Sequence, residues 1–176
     1  HYQKVKIIDG TADSTVAIPG SARGLKVRTT NVVRISVTPV VSAAAIYAQG
    51  DAVGGQMTFA GAASAAGVGG TIRAVIIIDR AQARAPLELV LFDRDFAEMV
   101  DNTPWDPNDS DLANLVGIVP ISTYSNFFDN AVGYAYDINI PFVSNGTTLE
   151  GQLWTYGTPS YVATSDISVI LLLDQE

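Results

Sequence analysis

Seven carboxylates crowd residues 93–111, namely Asp93, Asp95, Glu98, Asp101, Asp106, Asp109 and Asp111, against a single base, Arg94. Hard oxygen donors at this density suit Ca²⁺, which gathers roughly six to eight oxygens. The tightest run, residues 106–111 (DPNDSD), makes Asp106, Asp109 and Asp111 the metal candidates. It lacks the glycine and the terminal bidentate glutamate of an EF-hand loop. The competing reading is a surface loop whose aspartates form Asx-turns and cap the helix that follows, and the sequence favours it.

Other reactive residue types are scarce. His1 is the sole histidine and cysteine is absent, which removes Ser-His-Asp and Cys-His catalysis and the usual zinc and iron ligand sets. Two carboxylates some five to nine ångströms apart, on the order of what sugar hydrolysis needs, must come from few glutamates: Glu88, Glu98, Glu150 and Glu176. Glu88 and Glu150 fall on expected strands, on the polar face of the alternation. The glycine-rich stretch 61–70 has neither the lysine of a Walker loop nor a dinucleotide fingerprint. The expectation is a chain with no catalytic residues and no cofactor, not an enzyme.

Aromatic side chains form the other cluster. Residues 124–136 (YSNFFDNAVGYAY) hold Tyr124, Phe127, Phe128, Tyr134 and Tyr136, either as core lids or as a contact patch. Tyr and Phe are enriched in interface cores, so Tyr124, Phe127, Phe128 and Tyr134 are interface candidates. Trp105, between Pro104 and Pro107, reads as the anchor of the acidic loop, with a partner contact or sugar stacking as the alternative.

The elements that must position these groups are strands. Residues 31–41 (NVVRISVTPVV) alternate Arg34, Ser36 and Thr38 with Val33, Ile35 and Val37, the two-residue period of a half-buried strand. Pro39 cannot donate to a ladder, so this strand lies at an edge or ends there. Further strands are expected over 52–59, 71–79, 87–93, 116–122, 135–143, 149–156 and 167–174. Residues 75–78 and 169–173 are apolar on both faces and should be central and covered on both sides. Asn145-Gly146 predicts a hairpin joining the expected strands at 135–143 and 149–156. A two-turn helix over 109–116, capped by Asp109 or Ser110 and carrying Leu112 and Leu115, is the one helix expected. Residues 60–66 (AGAASAA) read as a small-residue surface loop. About eight short strands and one short helix define an all-β, antiparallel β-sandwich, jelly-roll-like.

Composition agrees. The chain has 176 residues, 48% hydrophobic and 16% charged, enough for one core without staples. The division expected is an arm or loop over 1–30, with a short strand at 4–8, and a sandwich over 31–176. The apolar runs are too short to cross a bilayer, and the start lacks the long apolar core of a signal peptide. All ten bases lie in the first 94 residues with six acids, 10 − 6 = +4; the remaining twelve acids give −12. Either the halves interleave in one sandwich, or the particle has two poles that meet in neighbouring copies. The bases are scattered among apolar strand residues, so neither nucleic acid nor membrane is an expected partner.

Residues 47–55 (YAQGDAVGG) running into 57–59 (MTF), then 70–79 (GTIRAVIIID), 87–93 (LELVLFD), 101–102, 109–112, 117–119 and 168–173, carry a resemblance. In these stretches the chain resembles a family of tailed-bacteriophage virion structural proteins that includes capsid decoration (cement) proteins. The likeness covers most of the chain after residue 31, in turns and strands. It implies a non-enzymatic protein located in the virion, assembled in the host bacterial cytoplasm. It also implies self-association as a homo-oligomer such as a trimer, with the major capsid protein as partner. A tail or neck component and a carbohydrate-binding sandwich are the alternatives.

Overall fold

A computed structural model describes residues 31–176. The arm expected over 1–30, with its strand at 4–8, lies outside the described residues. Nine strands and one helical turn follow in order: β1 (Asn31–Val37), β2 (Ala52–Ala60), β3 (Gly69–Asp79), β4 (Leu87–Phe92), α1 (Asp109–Leu112), β5 (Leu115–Ile121), β6 (Tyr124–Asn126), β7 (Ala131–Val143), β8 (Thr148–Thr155) and β9 (Ile167–Gln175). They form two antiparallel sheets, β1-β9-β3-β7-β6 and β2-β8-β4-β5.

The pairing is nested: β1 with β9, β2 with β8, β3 with β7, β4 with β5. Such nesting is one long hairpin wrapped into two facing sheets, the jelly-roll arrangement. Alternation supplies the core between them. Val75, Ile77, Val169 and Leu171 from one sheet meet Phe59, Leu89, Val119 and Leu153 from the other, all buried. As their apolar runs require, β3 and β9 lie at the centre of the five-stranded sheet. Cover on their outward face is uneven: Ile170 is buried, while Ile76, Ile78 and Leu172 are half-buried. Strand β1 is an edge strand and stops two residues before Pro39.

Two glycines are demanded by backbone approach. A Cβ on Gly69 would stand 1.8 Å from the Phe142 carbonyl oxygen, and one on Gly70 2.2 Å from that of Asp174. Only a residue without a side chain lets β3 sit this close to β7 and β9.

Several expectations need correction. The helix is a single turn; its cap position is Asn108, whose side chain makes no capping bond, and Leu115 already belongs to β5. Once Leu115 pairs with Phe92, only six residues, 109–114, remain, too few for two turns. Asn145-Gly146 does not close a hairpin: β7 and β8 lie in different sheets, so the turn crosses between layers. The stretch at 60–66 is not wholly surface, because Ala62 and Ala63 are buried in the core. Strand β6 went unread because it is only three residues long, and β7 begins four residues earlier than its alternation suggests.

Candidate functional site: the loop end of the sandwich

The nesting brings four connections to one end. Asp79 pairs with both Ala131 and Ile167, and Leu87 with both Ile121 and Thr155, so the segments leaving these positions emerge together. They are residues 38–51, 80–86, 122–130 and 156–166. Backbone bonds stitch them: Tyr47 N–H to Pro159 O at 3.0 Å, Ala44 N–H to Tyr161 O at 2.7 Å, Arg80 N–H to Asp166 O at 2.9 Å and Tyr156 N–H to Pro86 O at 3.0 Å. Tyr124 adds its hydroxyl to Ala85 O at 2.7 Å, and Gln82 Nε2 donates to Phe128 O at 2.9 Å.

Three buried aspartates hold these loops in shape. Asp51 Oδ2 accepts the Ala48 N–H at 2.7 Å, closing the turn below Ile46. Asp166 Oδ2 accepts both Val162 and Ala163 N–H at 2.8 Å. Asp79 accepts from Ala81 at 3.1 Å and from Arg84 at 2.7 Å. Burial pushes the Asp79 carboxyl above its ordinary range, and nearby Asp166 adds to this while the backbone N–H groups pull it back. Backbone strain collects here too: Ala44, Gln82 and Arg84 are left-handed at φ 59°, 55° and 50°. Non-glycine residues persist in that region only where their surroundings fix them.

What the loops present is apolar. Phe128 is 95% exposed and Val162 82%, the two highest values among exposed large apolar residues of the described chain, and Ile46 stands at 73%. Val40 and Phe127 are also exposed in these loops, and so are Arg80 and Arg84. Buried carboxylates therefore fix a rigid scaffold that displays greasy side chains to solvent, the reverse of what solubility alone would select.

The aromatic candidates do not form one patch. Phe127 and Phe128 sit at the tip of the β6–β7 hairpin, where Phe127 N–H bonds Asn130 O at 2.8 Å. Tyr124 packs against the core, and its burial pushes the hydroxyl well above the ordinary tyrosine range. Tyr134 stacks on Tyr136 with centroids 5.0 Å apart, on the outward face of the five-stranded sheet. Trp105 joins a second small cluster with Val90, Phe92, Phe96 and Trp154 on the four-stranded sheet. There it anchors the acidic loop.

That loop spends five of its seven carboxylates, Asp93, Asp95, Glu98, Asp101 and Asp111, on the protein itself. Strand β2 bulges between Val53 and Met57, which frees the N–H groups of Gly54 and Gln56 from the ladder. Asp101 Oδ1 takes the Gly54 N–H at 2.5 Å and the buried Tyr47 hydroxyl at 2.8 Å, while Oδ2 takes Ser42 Oγ at 2.6 Å. Glu98 takes the Gln56 N–H at 2.5 Å, and Asp95 the Gln56 side chain at 2.8 Å. Asp93 is bonded by Arg94 at 2.8 and 3.0 Å. From β8, buried Gln152 donates to Gly54 O at 2.7 Å and Met99 O at 2.6 Å, and accepts from Met99 N–H at 3.0 Å. Of the metal candidates, Asp111 accepts from Ala97 N–H at 3.1 Å, and Asp106 and Asp109 do not join it: among the described residues no three acidic side chains converge as a cation site.

The three buried aspartates escaped the sequence reading, which weighed acids by density. Their signal is position, since each stands at a strand boundary. The described residues form a jelly-roll-like sandwich whose loop end exposes several large apolar side chains. Compared with family models, curated proteins and solved structures, the chain finds no match.

Proposed function

We propose that this chain is a non-enzymatic structural protein of a phage particle that binds and stabilises the capsid shell as a decoration protein. The observation that carries the reading is the loop end, where exposed Phe128, Val162 and Ile46 stand on loops fixed by buried Asp51, Asp79 and Asp166. Pre-organised loops lose little entropy on docking, so even modest contacts contribute net affinity. On a shell, many such copies add their contacts by multivalency. The sequence resemblance supplies the biological setting, since the jelly roll serves both capsid and lectin domains and fold alone does not choose.

Quantitative mass spectrometry of purified particles tests it. A ratio to the major capsid protein near one, or a simple fraction of one, supports decoration. A handful of copies moves the chain to the tail or neck, and absence from particles overturns the virion reading. One observation favours a second reading, carbohydrate binding: the rings of Trp154, in β8, and Tyr156, just after it, have centroids 4.3 Å apart. Glycan-array binding lost in Tyr156→Ala would select it.

A further inference from the structure

We infer that residues 14–22 of this chain lie across the outward face of the five-stranded sheet and cover it as a strap. The inference is independent of the loop end and of the role proposed for it.

The strand register makes that face continuous. Leu172 and Tyr136 flank Ala74, Ile170 and Tyr134 flank Ile76, and Val132 stands beside Ile78, each as a direct cross-strand partner. Such partners lie about 5 Å apart on one face of a sheet. The alternate residues Val75, Ile77, Val169 and Leu171 point the other way, into the core. Polar groups border the apolar island. Arg34 stands beside Leu172, the Arg73–Asp174 pair closes one end, and Ser168, bonded to Thr38 and Arg80, closes the other. Outside their own sheet, β1 and β7 pack on β2 and β5, which belong to the opposite sheet, so no described strand or helix packs extensively over this face.

Size decides between a second copy and a strap. Three strands about 4.8 Å apart and five residues of about 3.4 Å each give a face of roughly 250 Å². A specific contact between proteins takes about 800 Å² from each partner. A single extended segment fits the smaller figure.

The chain carries a suitable segment close by. Asn31 opens β1 at the end of this sheet, paired with Gln175, and thirty residues precede it. Their longest uncharged run is 14–22 (STVAIPGSA), between Asp13 and Arg23, with Val16 and Ile18 as its large apolar side chains. The centre of the face, Ile76, lies two strand spacings across and six residues along from Asn31, roughly 22 Å. Residues 19–30, which join Ile18 to Asn31, extend to about 40 Å. Charge draws the two parts together. Residues 1–30 hold five bases and two acids, 5 − 2 = +3, and residues 31–176 hold five bases and sixteen acids, 5 − 16 = −11. So short a tether keeps the segment at roughly millimolar effective concentration, and a small apolar contact is enough to seat it.

Cross-linking tests this, since the chain has no cysteine and an engineered pair reports proximity without background. In the full chain carrying Ile18→Cys and Ile76→Cys, a short bis-maleimide is expected to join the two positions within one chain. Peptide mass spectrometry of the 18.6 kDa band reads the link. Ile18→Cys with Ile118→Cys, an exposed position on the four-stranded sheet, is expected to link at least about tenfold less. In the cysteine-free chain Ile18→Asp uncovers the face, so the fluorescence of an apolar dye rises while the circular dichroism of the sandwich is unchanged. Gln3→Asp, a new charge outside the strap, leaves the dye signal as in the parent. Equal linkage to positions 76 and 118, linkage only between chains, or a dye signal indifferent to Ile18→Asp overturns the inference. These readings come from the isolated chain and copy number from particles, so the strap can fail while the virion reading stands.

Discussion

Replacing Asp101 with alanine should cost the protein a large part of its stability, although the residue sits in a loop. Its carboxylate receives three donors: Gly54 N–H at 2.5 Å, Tyr47 hydroxyl at 2.8 Å and Ser42 Oγ at 2.6 Å. Tyr47 is fully buried and Gly54 is buried as well, so two donors would lose their partner where water does not reach. A buried group left unsatisfied costs about 1–3 kcal/mol, giving roughly 2–6 kcal/mol for the pair. Half-buried Ser42 can turn to solvent and adds little. Domains hold only about 5–15 kcal/mol in total, and at this size each kcal/mol moves Tm by about 2–4 °C. A loss near the middle of the range lowers Tm by about 8–16 °C. Urea unfolding followed by circular dichroism reads the free energy directly. Tyr47→Phe removes one donor together with its demand, so the double variant should be less than additive. A loss below about 1 kcal/mol in Asp101→Ala would refute the view that this carboxylate clamps the bulge. Calcium that raises the Tm of the parent chain but not of Asp101→Ala would show that these oxygens serve a metal instead.

Two further outcomes follow from the same packing. Gly70→Ala places a methyl 2.2 Å from the Asp174 carbonyl, backbone against backbone, and should cost more than about 3 kcal/mol or abolish folding, read as soluble yield and urea midpoint. Asp79 titrates above its unfolded value because burial penalises its charge. A carboxyl raised in this way contributes stability that is fully present below the unfolded pKa, near about 4, and is lost as pH rises through the folded value. Asp79→Asn removes that dependence, so the difference in urea midpoint between variant and parent should move in the variant's favour from pH 4 toward pH 7. Movement in the opposite direction would mean that the backbone donors, not desolvation, dominate the carboxyl.

The strand alternation carried most of the fold. Val33, Ile35 and Val37 against Arg34 and Ser36 marked β1 as half-buried, and two-faced apolar runs placed β3 and β9 at the centre. Both signals are local, because burial of alternate positions is written every second residue. What failed was non-local. Asn145-Gly146 has the chemistry of a hairpin turn, yet the pairing of β7 with β3 and of β8 with β2 turned it into a crossing between sheets. Leu112 and Leu115 have helical spacing, but Leu115 is taken by the ladder to Phe92.

The acids show how tertiary context decides chemistry. Seven carboxylates in nineteen residues look like a site for a cation, but β2 offers bulged N–H groups within reach, and the donors are protein. Asp51, Asp79 and Asp166 are far apart in sequence and inconspicuous among apolar neighbours. Each borders a strand: Asp51 precedes β2, Asp79 closes β3 and Asp166 precedes β9. Only the nested pairing says that those borders share one end. The number of apolar side chains exposed there follows from the same geometry. Tyr47 and Tyr161 fold inward to anchor two of the loops in the core, and the buried carboxylates fix the turns between by accepting backbone N–H groups. Ile46, Val162 and Phe128 can then point outward without loss of order. A surface built this way is cheap to keep rigid and costly to leave bare, which is the physical reason to expect a partner on it.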